Sequence, residues 1–285
     1  MTTSKDNKRF VDIPDEIRTD IGTYSIENKI GVGGNAVVHE CTDLFGNVGA
    51  IKFLLNVSKK NNQRFSQEIS LLQNLDHAHI IKYIDSGHVV GKESKNGKEI
   101  NIPFVVMEKA DYNIVEYMKK MDRSVTYEMY APQIRGLSDA LRLLHEKAVH
   151  RDIKPENILV RGETWLLSDF GLCTALDEDE RIDVTKTQER IGPKYWLSPE
   201  ATDRVYFGIN EINEASDVYQ LCAVFWFIIT KRYPLGIIEL DDYSAFDCHI
   251  CEELLKAMTY DRNKRTPNGL SLYENICKIT INRDN

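Results

Sequence analysis

No apolar run in this chain is long enough to cross a bilayer; the longest, Leu221 to Ile229, reads instead as a buried helix. A secretory signal is missing as well, because Met1 to Asp20 is polar and charged with no apolar centre. There is no basic excess. Lys and Arg number 36 against 44 Asp and Glu, a net charge of −8, which argues against nucleic acid or an anionic membrane as a partner. The six cysteines, at 41, 173, 222, 248, 251 and 277, lack the spacing of a disulfide framework and fit reduced thiols in a cytoplasmic compartment. Cys248-His249-Ile250-Cys251 has the spacing of a metal-ligand pair, but no second pair follows, so we read it as structural. Internal repeats and low-complexity segments are also absent. What is left is an ordinary globular composition, 42% hydrophobic and 28% charged, in 285 residues. That length suffices for one large domain or two lobes.

The most informative stretch is His150-Arg151-Asp152-Ile153-Lys154-Pro155-Glu156-Asn157, where a carboxylate, a cation and an amide share one proline-stiffened turn. Asp169-Phe170-Gly171 follows, adding a second carboxylate beside a flexible glycine. Such a set suits phosphoryl transfer, in which metal ions and fixed charges hold a triphosphate in line with an incoming hydroxyl. Upstream, Gly31-Val32-Gly33-Gly34-Asn35-Ala36-Val37-Val38 reads as strand, glycine turn and returning strand, and glycines let backbone N–H groups approach phosphate oxygens. Lys52 interrupts the apolar strand Val48 to Leu54; it is either an edge lysine reaching solvent or one whose ammonium has partners. Between Lys59 and Leu75, Phe65, Ile69 and Leu72 recur at helical spacing with Glu68 beside that face.

The coarse organisation runs from strands to helices. Residues 1 to 22 read as a loosely packed extension. Ile80 to Tyr83 and Phe104 to Val106 give further strands, joined by a turn at 91 to 98. Residues 126 to 147 carry Tyr130, Ile134, Leu137, Leu141 and Leu144 at helical spacing. Ile158 to Val160 and Trp165 to Leu167 read as a hairpin that sets Asn157 and Asp169 side by side, and Asp217 opens an apolar helix to residue 229. A small strand-rich half followed by a helical half predicts a bilobal α+β architecture.

Taken together and in order, these motifs resemble the eukaryotic-type protein kinases over roughly residues 24 to 280. The resemblance implies an N-lobe at 23–106, a hinge at 107–113 and a C-lobe at 114–285, with residues 22–280 forming a single kinase domain. It implies ATP and Mg2+ as cofactors and transfer of the γ-phosphate to protein serine or threonine hydroxyls, with the chain itself among the protein substrates. Asp152 then accepts or orients the hydroxyl proton, Lys154 neutralises the transferred group, and Asn157 and Asp169 hold magnesium. Gly31, Val32, Gly33 and Gly34 cover the phosphates. Lys52 holds them and pairs with Glu68. Val38, Ala50, Met107, Glu108, Ala110 and Leu159 complete the nucleotide contacts, with Asp111 or Asn113 on the ribose. Asp217 supports the catalytic loop, and Arg265 pairs with Glu200 in Ser198-Pro199-Glu200. Arg151 receives a phosphate on the segment before Gly192, with Thr187 as first acceptor, Thr185 as second and Tyr195 as rival.

Three departures stand out. Ala36 replaces the third glycine of the turn, Asn35 sits where an aromatic tip is common, and Pro193 and Trp196 resemble tyrosine kinases although Lys154 is of the serine/threonine type. The alternatives are therefore tyrosine or dual specificity. A pseudokinase scaffold would require a missing Lys52, Asp152, Asn157 or Asp169, and all are present. A small-molecule kinase is disfavoured by the segment ending in Pro199-Glu200.

Overall fold

A computed structural model of the chain describes residues 11–93, 97–121, 125–175, 195–207, 212–246 and 248–284. Contacts divide it into two compact units, residues 1–73 with 82–109, and residues 74–81 with 110–285.

The first unit is built on a seven-stranded antiparallel sheet. Its strands are β1 (Val11–Asp12), β2 (Glu16–Arg18), β3 (Thr23–Val32), β4 (Ala36–Asp43), β5 (Val48–Leu54), β6 (Tyr83–Glu93) and β7 (Glu99–Glu108), ordered β1-β6-β7-β5-β4-β3-β2. Alternation along β5 buries Ile51 and Phe53 completely and sends Lys52 to the opposite face. Ile51 and Phe53 join Ile17, Tyr24, Val37, Cys41, Ile102, Phe104 and Val106 in one apolar cluster. The helix α1 (Lys59–Gln73) buries Phe65, Glu68 and Leu72 and packs on β5, β6 and β7.

Two expectations change here. Residues 11–18 are not a loose extension: β1 and β2 form both edges of the sheet, and Ile17 is core. They are held by ladder bonds to β6 and β3, and Asp85, buried in β6, accepts a hydrogen bond from Thr19 at 2.6 Å. The strand expected at Ile80–Tyr83 instead begins at Tyr83 and runs to Glu93, while Ile80 and Ile81 belong to the second unit. Gly91 marks why that strand reads poorly by composition. A Cβ there would lie 2.4 Å from Ile102 Cδ1 and 3.0 Å from Asp12 O, so close strand packing requires glycine.

The second unit is mainly helical. It contains β8 (Tyr112–Asn113), α2 (Ile114–Lys120), α3 (Tyr127–Leu144), β9 (Ala148–Val149), β10 (Ile158–Arg161), β11 (Thr164–Leu167) and β12 (Thr174–Ala175). There follow α4 (Pro199–Phe207), α5 (Glu214–Thr230), α6 (Cys251–Ala257) and α7 (Gly269–Asp284). Along α3 the buried side chains include Tyr130, Ile134, Leu137, Leu141 and Leu144, the face that the periodicity marks. The hairpin β10–β11 pairs Ile158 with Leu167 through Arg161 with Thr164, and β8 adds a third strand through Asn113 and Leu159. The apolar helix α5 starts three residues earlier than Asp217, because Asn213 caps it by accepting from Ala215 N. Among the described residues no helix is long and apolar enough to cross a membrane.

Candidate active site

The expected site residues fall into two groups, one in each unit. In the first unit, Lys52 Nζ donates to Glu68 Oε1 at 2.6 Å, with side-chain exposures of 15% and 3%. The pair forms because β5 turns Lys52 away from the apolar cluster and α1 presents Glu68 on its buried face. A lysine and a glutamate each costly to bury alone thereby satisfy one another. Across the sheet Val38 stands opposite Lys52, and Ala50 opposite Met107. Gly31 pairs with Val38, and Gly33 N donates to Ala36 O at 2.8 Å, closing the glycine hairpin. Glu108 N donates to Lys82 O, and Glu108 Oε1 accepts from Lys82 N at 2.9 Å, so this part of the expected hinge is tied to the start of β6.

In the second unit the loop 150–157 is built around Asp217, a fully buried carboxylate near the start of α5. Its Oδ2 accepts from His150 N at 2.6 Å and its Oδ1 from Arg151 N at 2.8 Å, while His145 Nε2 lies 3.1 Å from Oδ2. These bonds hold Arg151 at φ 72°, a left-handed backbone that side chains other than glycine rarely adopt. The loop then points Asp152 inward, with Lys154 Nζ at 2.8 Å and Asn157 Nδ2 at 2.9 Å from Oδ2. Asp152 Oδ1 accepts no bond among the described residues. Burial pushes the Asp152 carboxyl above the usual carboxylate range, with Lys154 opposing.

Asp169 sits next to Asn157 through its neighbour, since Ser168 N and Ser168 Oγ both bond Asn157 O, at 3.0 and 2.8 Å. The Asp169 backbone has φ 61°, and its side chain is exposed. Phe170 is buried and packs on the His150 ring at 5.1 Å. His150 Nδ1 accepts from Asp152 N at 3.3 Å, which leaves its Nε2 to donate to Ser168 O at 3.2 Å. Burial lowers the pKa of His150 and keeps the ring neutral. Leu159 is half-buried in β10. Asp111 and Asn113, the candidates for a ribose, already have local tasks: Asp111 Oδ2 accepts from Gly162 N, and Asn113 caps α2.

Some supports were not evident from spacing alone. Gln220 Oε1 accepts from Ile153 N at 3.0 Å, holding the residue after Asp152. A polar residue one turn after Asp217, inside an otherwise apolar helix, is the signal that could have marked it. Arg151 Nη1 donates to Thr174 Oγ1. Thr185, Thr187, Gly192 and Pro193 lie outside the described residues. Glu200 and Arg265 join at 2.8 Å with side chains 6% and 0% exposed.

Comparison with known proteins identifies the family. The family described as protein kinase domain matches residues 24–282. A probable serine/threonine-protein kinase of Clostridium acetobutylicum is 27% identical over 217 residues, covering 74% of this chain and 30% of that protein. One of Corynebacterium efficiens is 30% identical over 74% of this chain and 31% of its own length. Another, of Bifidobacterium longum, is 28% identical over 75% and 31%. The chain thus spans less than a third of the length of these relatives.

Proposed function

Because this chain belongs to the protein kinase domain family, we propose that it transfers the γ-phosphoryl group of ATP to serine or threonine hydroxyls of proteins, itself among them. The observation that carries this reading is the arrangement on Asp152. Lys154 and Asn157 occupy Oδ2, so Oδ1 is the acceptor left for a substrate hydroxyl. Lys154, anchored on the same carboxylate, then sets a positive charge beside the transferred group.

The residues present fit the cofactors. Gly33 and Gly34 have no positive φ, and a Cβ added at Gly34 would meet nothing within 4 Å, so the chain's own packing does not demand glycine there. The space is what a triphosphate needs to reach backbone N–H groups. Lys52, held by Glu68, would bind its α- and β-phosphates. Magnesium takes oxygen ligands, commonly one or two carboxylates completed by phosphates and water, and would supply charge neutralisation to the triphosphate. Asn157 turns Nδ2 towards Asp152, which leaves Oδ1 as its metal ligand, beside the exposed Asp169 carboxylate.

Serine/threonine preference follows from Lys154 in the catalytic loop, and the relatives named above carry the same description. Trp196, buried against Phe227 and Tyr233, supports tyrosine specificity as the second reading. The scattered cysteines and acidic charge fit a cytoplasmic enzyme whose partners are ATP and a protein substrate.

Incubation with Mg-ATP and mixed protein substrates, followed by mass spectrometry of the modified residues, tests the reaction and its specificity together. Asp152→Ala should stay folded and lose about 10² to 10⁴ in rate. A folded variant with the wild-type rate would remove Asp152 from the mechanism. Phosphotyrosine as the main product would replace the first specificity with the second.

A further inference from the structure

Asn35, at the tip of the glycine hairpin, is engaged through both its backbone and its side chain. Its carbonyl accepts from Leu55 N and Asn56 N at 2.9 and 3.2 Å. Its Oδ1 accepts from Asn56 Nδ2 at 3.0 Å. The bonding continues past β5, where Asn61 Nδ2 donates to Asn56 O at 2.9 Å and Asn62 Nδ2 to Val57 O at 3.2 Å. Asn61 and Asn62 lie in the first turn of α1, the helix that carries Glu68. The β4–β5 ladder has its last pair at Ala36 and Leu54; beyond it the two backbone bonds to the Asn35 carbonyl and these side-chain amides do the joining. The hairpin has no side chains of its own to pack at Gly33 and Gly34.

We propose that the Asn35–Asn56 pair is a latch that positions the glycine hairpin over the triphosphate. This rests on the nucleotide reading above. Both asparagines are positioning residues: they act through the hairpin backbone, whose height the latch ties to the end of β5 and the start of α1. Tethering the turn in its binding conformation lowers the ordering cost of closing it on phosphates. Val38 and Ala50, the residues suited to a base, are held by the β ladder whether or not the latch forms. A ligand without phosphates should therefore not sense the pair.

The test uses the full chain with Asn35→Ala, Asn56→Ala and the double variant, and measures affinity for MgATP and for adenosine by calorimetry. Each single variant loses one neutral hydrogen bond between exposed amides, so MgATP should bind about two- to fivefold more weakly. Adenosine affinity should not move, and the melting temperature should fall by no more than the loss of one exposed bond allows. The double variant should lose no more than either single one, because both remove the same bond. Unchanged MgATP affinity in the single variants overturns the latch. So does an equal loss for adenosine, which would mark general loosening of the unit, or an additive double variant. Wild-type protein that binds no MgATP overturns the nucleotide reading and the latch with it, so the wild type alone tells the two failures apart.

Discussion

Replacing Arg265 with methionine would leave the Glu200 carboxylate buried without its cation. Arg265 donates to Glu200 Oε1 at 2.8 Å, to Thr259 O at 2.5 Å and to Tyr260 O at 2.9 Å, and lies 5.0 Å from the centre of the Tyr219 ring. Methionine keeps much of the stem volume, so the loss is mainly electrostatic. Glu200 would retain the Ser216 hydroxyl at 2.6 Å, and two carbonyls would lose their donor. Removing one partner of a buried pair costs roughly 3 to 5 kcal/mol. Glu200→Gln should cost less, since Arg265 keeps both carbonyl acceptors. The double variant should cost less than the two single losses added, because they share one interaction.

Acid makes the same argument from the other side. Burial opposes ionisation of Glu200, but the hydrogen bond and charge of Arg265 outweigh it and hold the carboxyl below its usual range. A carboxyl depressed on folding stabilises above its unfolded pKa of about 4.3, and that contribution drains as pH falls through the folded value. Without Arg265, burial alone would raise the carboxyl, and protonation would relieve the stranded charge. Urea unfolding of wild type and Arg265→Met at neutral and acid pH should therefore show a gap that narrows on acidification. A gap under about 1 kcal/mol at neutral pH, within the range of exposed pairs, or one that acid leaves unchanged, would refute the reasoning.

Two further outcomes follow from particular contacts. Lys52→Met should still bind nucleotide but transfer phosphate far more slowly, because Glu68 loses the partner it holds at 2.6 Å; steady-state turnover near wild type would remove the pair from the reaction. Gly136→Ala should lower the melting temperature although alanine is the better helix former by about 1 kcal/mol. A Cβ at 136 would lie 2.0 Å from His79 Nε2, and the His79 ring is tied to Trp165 O at 2.8 Å through Nδ1. The expected net loss is roughly 1 to 3 kcal/mol, and a stabilised variant would mean that the ring moves freely.

What was legible in the sequence was whatever repeats locally. The face of α3 shows in the 3.6-residue spacing of Tyr130, Ile134, Leu137, Leu141 and Leu144, and Lys52 stands out because β5 is otherwise apolar. The edge strands did not show. β1 and β2 have two and three residues, mostly polar, and only Ile17 among the residues of β2 is buried. Such strands exist through bonds to a neighbour distant in sequence, as Val11 with Glu93, and no local pattern encodes that. The extent of the β6–β7 hairpin is hidden for a related reason: much of β6 faces solvent, so the apolar alternation is interrupted.

The loop 150–157 divides in the same way between chemistry and conformation. Its carboxylate, cation and amide are close in sequence, so the resemblance to the protein kinases could be read from them. Their aim could not, because Arg151 and Asp169 both hold a positive φ that local preference disfavours by about 1 to 3 kcal/mol each. At Arg151 the opposing force comes from Asp217, 66 residues away, whose carboxylate takes the N–H groups of His150 and Arg151 together. Asp217 is held in place by α5, which is buried along nearly its whole length. The loop therefore carries the residue types, while the buried helix α5, through Asp217, supplies the free energy that holds the backbone before Asp152 in its observed conformation.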